Sequence, residues 1–246
     1  VRGKILQTLK SMYSSIKSEI KVNNSLSNAF SCKLGVRQGD SLSPFLFAMY
    51  LNDLEEMFLQ NGFKGVDIGM FKLLLLLYAD DIVIVSETES GLQEGLNILK
   101  EYCEKWRLTV NSSKTKIMVF KKGGRNRTNL SFKYNGIDLE IVHKFSYLGI
   151  VFSSGGSFFQ TVDALAGQAL KAIHKLKFYI QKFADLQMYI SHIFELFDKL
   201  IVPILNYGSE TWGFIEVRKL DNIHLHSCKT KTENKLSKGQ HRSGNA

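Results

Sequence analysis

Cysteine is scarce in this chain: Cys32, Cys103 and Cys228 lie far apart among 246 residues, with no Cys-x-x-Cys pair. That spacing excludes a disulfide framework and a cysteine-rich zinc site, and it favours a reducing, intracellular setting, nuclear or cytoplasmic. Long apolar runs are missing too. The longest aliphatic stretch, Leu73 to Leu77, meets Asp80 and Asp81 after only Tyr78 and Ala79, whereas a membrane-spanning helix needs roughly 20 apolar residues. It reads as a buried strand, and no membrane partner is expected. The chain opens at Val1 without Met and without a signal-peptide pattern, as the interior of a longer protein would. No internal repeat occurs.

What is present is an ordinary globular composition, 44% hydrophobic and 11% aromatic, in 27.9 kDa. A chain of this size buries a substantial core. Lys and Arg number 32 against 23 Asp and Glu, a formal charge of +9. That excess suits a polyanionic partner, although net charge alone describes a merely soluble basic protein equally well.

Ile5, Leu9, Met12 and Ile16 recur at helical spacing and predict an amphipathic helix ending before Asn23 and Asn24. Short strands follow, through Phe30 and Cys32. Ser43 as cap and Pro44 in the first turn predict a helix with Phe45, Leu46, Met49, Tyr50 and Leu54 as its buried stripe. Phe71 to Leu77 and Ile82 to Val85 read as two strands around Tyr78-Ala79-Asp80-Asp81. Ser90 with Gln93 forms a capping-box pattern for a helix presenting Leu92, Leu96, Leu99, Cys103 and Trp106 on one face. A strand pair is predicted at Leu108 to Val110 and Ile117 to Phe120, then a basic loop at Lys121 to Asn129 and a hairpin at Asn135-Gly136. One strand runs from Phe145 to Phe152, and Ser153 to Ser157 breaks the chain. Helical periodicity then extends from Val162 to Ile180, and a further helix, about Leu186 to Ile201, stops at Pro203. The polar, Lys-rich residues 229–246 read as a disordered tail.

Two adjacent carboxylates at the end of an apolar strand are expensive to bury without a cation. Asp80 and Asp81 offer the hard oxygen ligands that Mg²⁺ prefers, which suits nucleotidyl transfer, although Asp is also common in solvated turns. Their context is more specific. Tyr78-Ala79-Asp80-Asp81 between apolar strands, preceded by Gly35-Val36-Arg37-Gln38-Gly39-Asp40 and Leu42-Ser43-Pro44, resembles reverse transcriptases of the non-LTR retrotransposon class. Asn111 with Lys114-Thr115-Lys116 and Met118, and then Tyr147-Leu148-Gly149, resemble the next blocks in the same order. Leu200 to Leu205, Tyr207-Gly208 and Trp212-Gly213 resemble the region that follows the polymerase in such elements.

The resemblance implies an α+β fold: a right-hand polymerase with a partial antiparallel palm sheet and its helices at 1–157, and a helical thumb-like region at 158–228. It implies RNA-templated DNA synthesis, with an RNA template, a DNA primer, deoxynucleoside triphosphates and two Mg²⁺ ions. By the same resemblance Asp80 and Asp81 are metal ligands and catalytic, and Lys114, with Lys116 as a neighbouring competitor, faces the departing pyrophosphate. Arg37, Gln38, Gly39 and Tyr78 meet nucleotide and template, and Tyr147, Leu148 and Gly149 grip the primer. The family's third catalytic carboxylate, in a Phe-x-Asp motif, belongs upstream of the first helix, so the metal site is expected to be incomplete and the chain alone inactive. The apolar face of Phe71 to Leu77 is then expected to be partly exposed. Ser41 replaces the usual Pro, and the tail after Lys229 departs from the family as after a frameshift or premature end. The rival reading is a non-catalytic nucleic-acid-binding remnant. Lys171, Lys175, Lys177 and Lys182 suit a nucleic-acid backbone or simply a solvated helix face. His224-x-His226-x-Cys228 supplies too few ligands for zinc. The oligomeric state is not legible.

Overall fold

The computed structural model describes residues 2–32, 34–121, 130–182 and 190–213. Most of the basic loop after Lys121, His224, His226, Cys228 and the tail at 229–246 lie outside the described residues, as does the side chain of Lys182. The chain divides into two compact units, one of residues 1–109 with 133–135, the other of 110–132 with 136–246.

In the first unit the order is α1 (Gly3–Tyr13), β1 (Lys17–Ser18), β2 (Lys21–Val22), β3 (Ser25–Leu26), β4 (Phe30–Ser31), α2 (Ser43–Tyr50), α3 (Leu54–Gln60), β5 (Val66–Ile68), β6 (Phe71–Leu73), β7 (Leu75–Tyr78), β8 (Asp81–Ile84) and α4 (Glu89–Trp106). The core lies between α3, α4 and β8, where Leu54, Phe58, Phe63, Leu74, Leu96, Leu99 and Tyr102 are buried. Gly95 explains how β8 reaches α4: a Cβ there would lie 2.7 Å from Phe63 and 3.0 Å from Ile84, so only glycine admits both side chains. Burial, and then the Asp53 carboxylate 2.6 Å away, hold the Tyr102 hydroxyl well above its ordinary pKa.

The predicted face of α4 is the observed one, but its start differs. Thr88 is the N-cap and accepts from the Gly91 N–H at 3.1 Å. Gln93 instead grips an extended segment, donating to the Lys133 carbonyl at 2.8 Å and accepting from the Lys133 N–H at 2.9 Å. Ser43 likewise does not cap α2, because its hydroxyl donates to the Arg37 carbonyl at 2.5 Å. The predicted stripe of α2 is mostly exposed at Phe45, Met49 and Tyr50, and Leu54 belongs to the separate helix α3. The run Phe71 to Leu77 is two strands broken at the buried Leu74, with Phe71, Leu76 and Leu77 exposed. It is therefore not a buried strand, and its apolar face is open as expected.

The second unit has β9 (Lys116–Ile117) and, after β10 (Lys133–Tyr134) of the first unit, β11 (Ile137–Asp138), β12 (Glu140–Ile141), β13 (Lys144–Tyr147), β14 (Ile150–Ser153), α5 (Phe159–Lys182), α6 (Ile190–Leu200), α7 (Val202–Leu205) and α8 (Ser209–Trp212). Its core gathers Val162, Leu165, Ala169 and Ile173 of α5 with Phe197, Ile201, Leu205 and Trp212. Pro203 sits in the first turn of α7, where its missing N–H leaves no bond unmade. Leu108 to Val110 is not a strand; β9 pairs instead with β12, in parallel. Asn135 and Gly136 both take the left-handed conformation, as their pairing predicts. The segment from Phe145 to Phe152 is a hairpin rather than one strand, since β13 and β14 pair antiparallel around Leu148-Gly149.

Helices and small, mainly antiparallel sheets agree with the α+β expectation. The described strands pair two by two, however, and do not join into one sheet.

Candidate active site

β7 and β8 pair antiparallel from Leu75↔Ile84 to Tyr78↔Asp81, which leaves Ala79 and Asp80 as a two-residue turn. Ala79 has φ +50, a left-handed conformation that costs a non-glycine residue about 1–2 kcal/mol. Packing of Ile84 on Gly95 and a bond from the Val85 N–H to the Leu74 carbonyl at 3.2 Å hold the strands that carry this turn. Tyr78, Asp80 and Asp81 are all exposed. The carboxylates therefore carry no burial penalty, and the argument that folding obliges them to find a cation does not hold. Among the described residues neither has a hydrogen-bond or ion-pair partner, and no cluster of three His, Cys, Asp or Glu is placed to hold a metal. Adjacent, unpartnered carboxylate oxygens nevertheless fit part of the shell of a hard divalent cation, whose remaining ligands come from water and phosphate.

In the same unit a tight loop precedes α2. The Asp40 carboxylate accepts from the Leu42 N–H at 3.0 Å, and the Arg37 carbonyl accepts from the Asp40 N–H at 3.3 Å. Gly39, at φ +85, completes the turn and leaves itself and Gln38 exposed. Arg37 is committed elsewhere: its guanidinium donates to the Met12 carbonyl at 2.5 Å and lies 5.5 Å from the Tyr13 ring centre. It ties α1 to the loop. Asp40, three residues before the start of α2, is an Asx-turn signal that the motif reading passes over.

The second unit carries the other candidates. Asn111 shapes a turn by accepting from the Lys114 N–H at 3.2 Å and from the Ser113 hydroxyl at 2.7 Å. Lys114 is exposed and makes no ion pair among the described residues, whereas Lys116 is bound to Glu140 at 2.6 Å across the β9–β12 pair. Tyr147 closes β13, and Leu148 and Gly149, at φ +48 and +79, form the β13–β14 turn. Tyr207 donates its hydroxyl to the Leu148 carbonyl at 2.8 Å, a contact that no local pattern announces.

Residues 3–152 match the family described as reverse transcriptase (RNA-dependent DNA polymerase). The chain belongs to the reverse transcriptase family. It is similar to the RNA-directed DNA polymerase from mobile element jockey of Drosophila funebris, 23% identical over 92% of this chain and 24% of that protein. It is also similar to the probable RNA-directed DNA polymerase from transposon BS of Drosophila melanogaster, 26% identical over 88% of this chain and 24% of that protein. A Pol polyprotein from the type-1 retrotransposable element R2 of Nasonia vitripennis is 30% identical over 50% of this chain and 12% of that protein. The chain thus spans about a quarter of the length of the first two relatives. The resemblance to reverse transcriptases of the non-LTR class holds. In this chain the matched residues include the Asp80-Asp81 segment, the Arg37 loop, Lys114 and the Tyr147 turn, and stop short of Tyr207.

Proposed function

We propose that this chain supplies the later palm, residues 1–157, and a thumb-like helical region, 158–228, of a polymerase that copies RNA into DNA by extending a primer 3′-hydroxyl. The observation that carries the reading is the exposed Asp80-Asp81 pair, without a side-chain partner among the described residues, at the strained Ala79-Asp80 turn within the stretch matched by the reverse transcriptase family. Unusual backbone conformations gather at functional sites, and here one lies at Ala79, directly before both carboxylates. Asp80 and Asp81 would hold Mg²⁺. When bound, that ion supplies positive charge to the attacking and leaving oxygens of nucleotidyl transfer.

The remaining roles belong to the chain's own side chains. Lys114, free of any ion pair among the described residues, offers its ammonium to the departing pyrophosphate and neutralises charge there. Gln38 offers a donor and an acceptor to a base or sugar edge, and Gly39 allows close backbone approach, since nothing lies within 4 Å of where a Cβ would stand. Tyr78 lies beside the carboxylates. The turn Tyr147-Leu148-Gly149 holds the primer end. The Arg37 guanidinium, engaged with Met12 and Tyr13, positions the loop.

A two-ion site needs carboxylates that face one another across the ions, and two neighbours on one turn do not provide that. The 246 residues by themselves are accordingly expected not to extend a primer. The test joins the chain to an upstream segment carrying the Phe-x-Asp motif and compares Asp80→Asn with the parent. Synthesis should vanish while RNA binding persists with its salt dependence, a log–log slope of roughly −0.7 per phosphate contacted. Primer extension that survives Asp80→Asn would overturn the assignment.

A further inference from the structure

The β13–β14 turn is shaped by a residue far along the chain. Leu148 occupies left-handed space at φ +48 without being glycine, asparagine or aspartate, the residues that tolerate it. In a two-residue turn the pairing of Tyr147 with Ile150 leaves the Leu148 carbonyl outside the ladder, and it accepts from the Tyr207 hydroxyl at 2.8 Å. The Tyr207 ring packs against the next residue, where a Cβ at Gly149 would stand 3.1 Å from its Cε1 and 3.5 Å from its hydroxyl oxygen. Gly208, itself at φ +67, receives the Ile150 side chain, and a Cβ there would lie 2.4 Å from Ile150 Cδ1.

Tyr207 is in turn fixed from behind. Its carbonyl accepts from Trp212 Nε1 at 2.9 Å, and Trp212 is buried in the core with Val162, Leu165 and Ile201. Tyr207 therefore meets both 148 and 149, Gly208 meets 150, and a buried core stands behind the contact.

We infer that Tyr207 is a positioning residue for the primer-holding turn: it fixes Leu148 and Gly149 in their left-handed conformations and so sets where the turn meets the primer end. This rests on the reading that Tyr147-Leu148-Gly149 holds the primer. It places the control of that turn in the segment after α7, beyond the stretch matched by the family.

Tyr207→Phe keeps the ring on Gly149 and deletes only the hydroxyl. In the 246-residue chain, hydrogen exchange should quicken at the amides of 147–151 and stay unchanged in α5. Affinity for an RNA–DNA hybrid with a recessed 3′ end should fall about two- to tenfold, the range one hydrogen bond is worth, with affinity for single-stranded RNA unaltered. Both changes together support the inference. Unchanged exchange at 147–151 overturns it, and so does quickened exchange throughout α5, which would make Tyr207 a general packing residue. Quickened exchange confined to the turn, with hybrid affinity unaltered, supports the positioning and overturns the primer-holding reading.

Discussion

Two hairpins of equal loop length carry the carboxylates and the primer-holding turn of the proposed function, and they are held in opposite ways. Both turns place a non-glycine residue in left-handed space, Ala79 at φ +50 in one and Leu148 at φ +48 in the other. The Tyr78–Asp81 turn is fixed from its strands, through Ile84 on Gly95, and its two carboxylates have no partner among the described residues. The Tyr147–Ile150 turn is braced at its tip by Tyr207, while the Thr161 hydroxyl secures the strand behind it. Free oxygens suit ligands that arrive from solvent, and a braced tip suits a surface against which a polymer end must register. Rigidity is thus spent on the strands in one case and on the turn in the other.

The largest effect should come from the free turn. In the chain joined to its upstream segment, Asp80→Asn should lower synthesis by at least the roughly 100-fold that losing one preorganised charge-stabilising group costs. Primer extension at saturating nucleotide measures it. A loss of similar size from Tyr207→Phe would erase the distinction between a ligand-holding turn and a positioned one.

Next comes the brace behind the second turn. The buried Thr161 hydroxyl accepts from the Val151 N–H and donates to the Val151 carbonyl, both at 2.9 Å. Thr161→Val preserves shape but orphans both backbone groups, and should cost about 1–3 kcal/mol in urea unfolding followed by Trp212 fluorescence. At the tip, Gly149→Ala should cost about 1–2 kcal/mol by the same measurement, because alanine is strained at φ +79 and its methyl meets the Tyr207 ring.

The smallest effect has the opposite sign. Ala79→Gly should stabilise the first unit by up to about 1 kcal/mol, since relief of left-handed strain slightly exceeds the added freedom of the unfolded chain. A destabilised Ala79→Gly, read from unfolding of α4, would mean that unseen contacts of the alanine methyl shape the free turn.

Legibility followed the range of the interactions. The Asn135-Gly136 turn and the apolar face of α4 were readable because a dipeptide or a 3.6-residue period fixes them locally. The hairpin at Leu148-Gly149 was not. An apolar run with Leu at the first turn position looks like one continuous strand, and its real cause, Tyr207, is 59 residues away. Ser43 and Gln93 failed as caps for a related reason. Each has local capping chemistry, yet tertiary packing offers it a different backbone partner, the Arg37 carbonyl for one and extended Lys133 for the other. The stripe of α2 shows that periodicity marks a face without fixing what covers it, as Phe45, Met49 and Tyr50 remain exposed.

The sequence by itself determined the family, the order of its blocks and the position of Asp80 and Asp81 between two strands, because each is written in residues that are neighbours along the chain. Tertiary structure decided which charged side chains are engaged within the fold. Lys116 is taken by Glu140 and Arg37 by Met12 and Tyr13, while Lys114, Asp80 and Asp81 are left exposed. Such choices depend on which distant carbonyl, carboxylate or ring the packed chain brings within about 3 Å for a hydrogen bond and 6 Å for a cation over a ring. No local pattern encodes that distance.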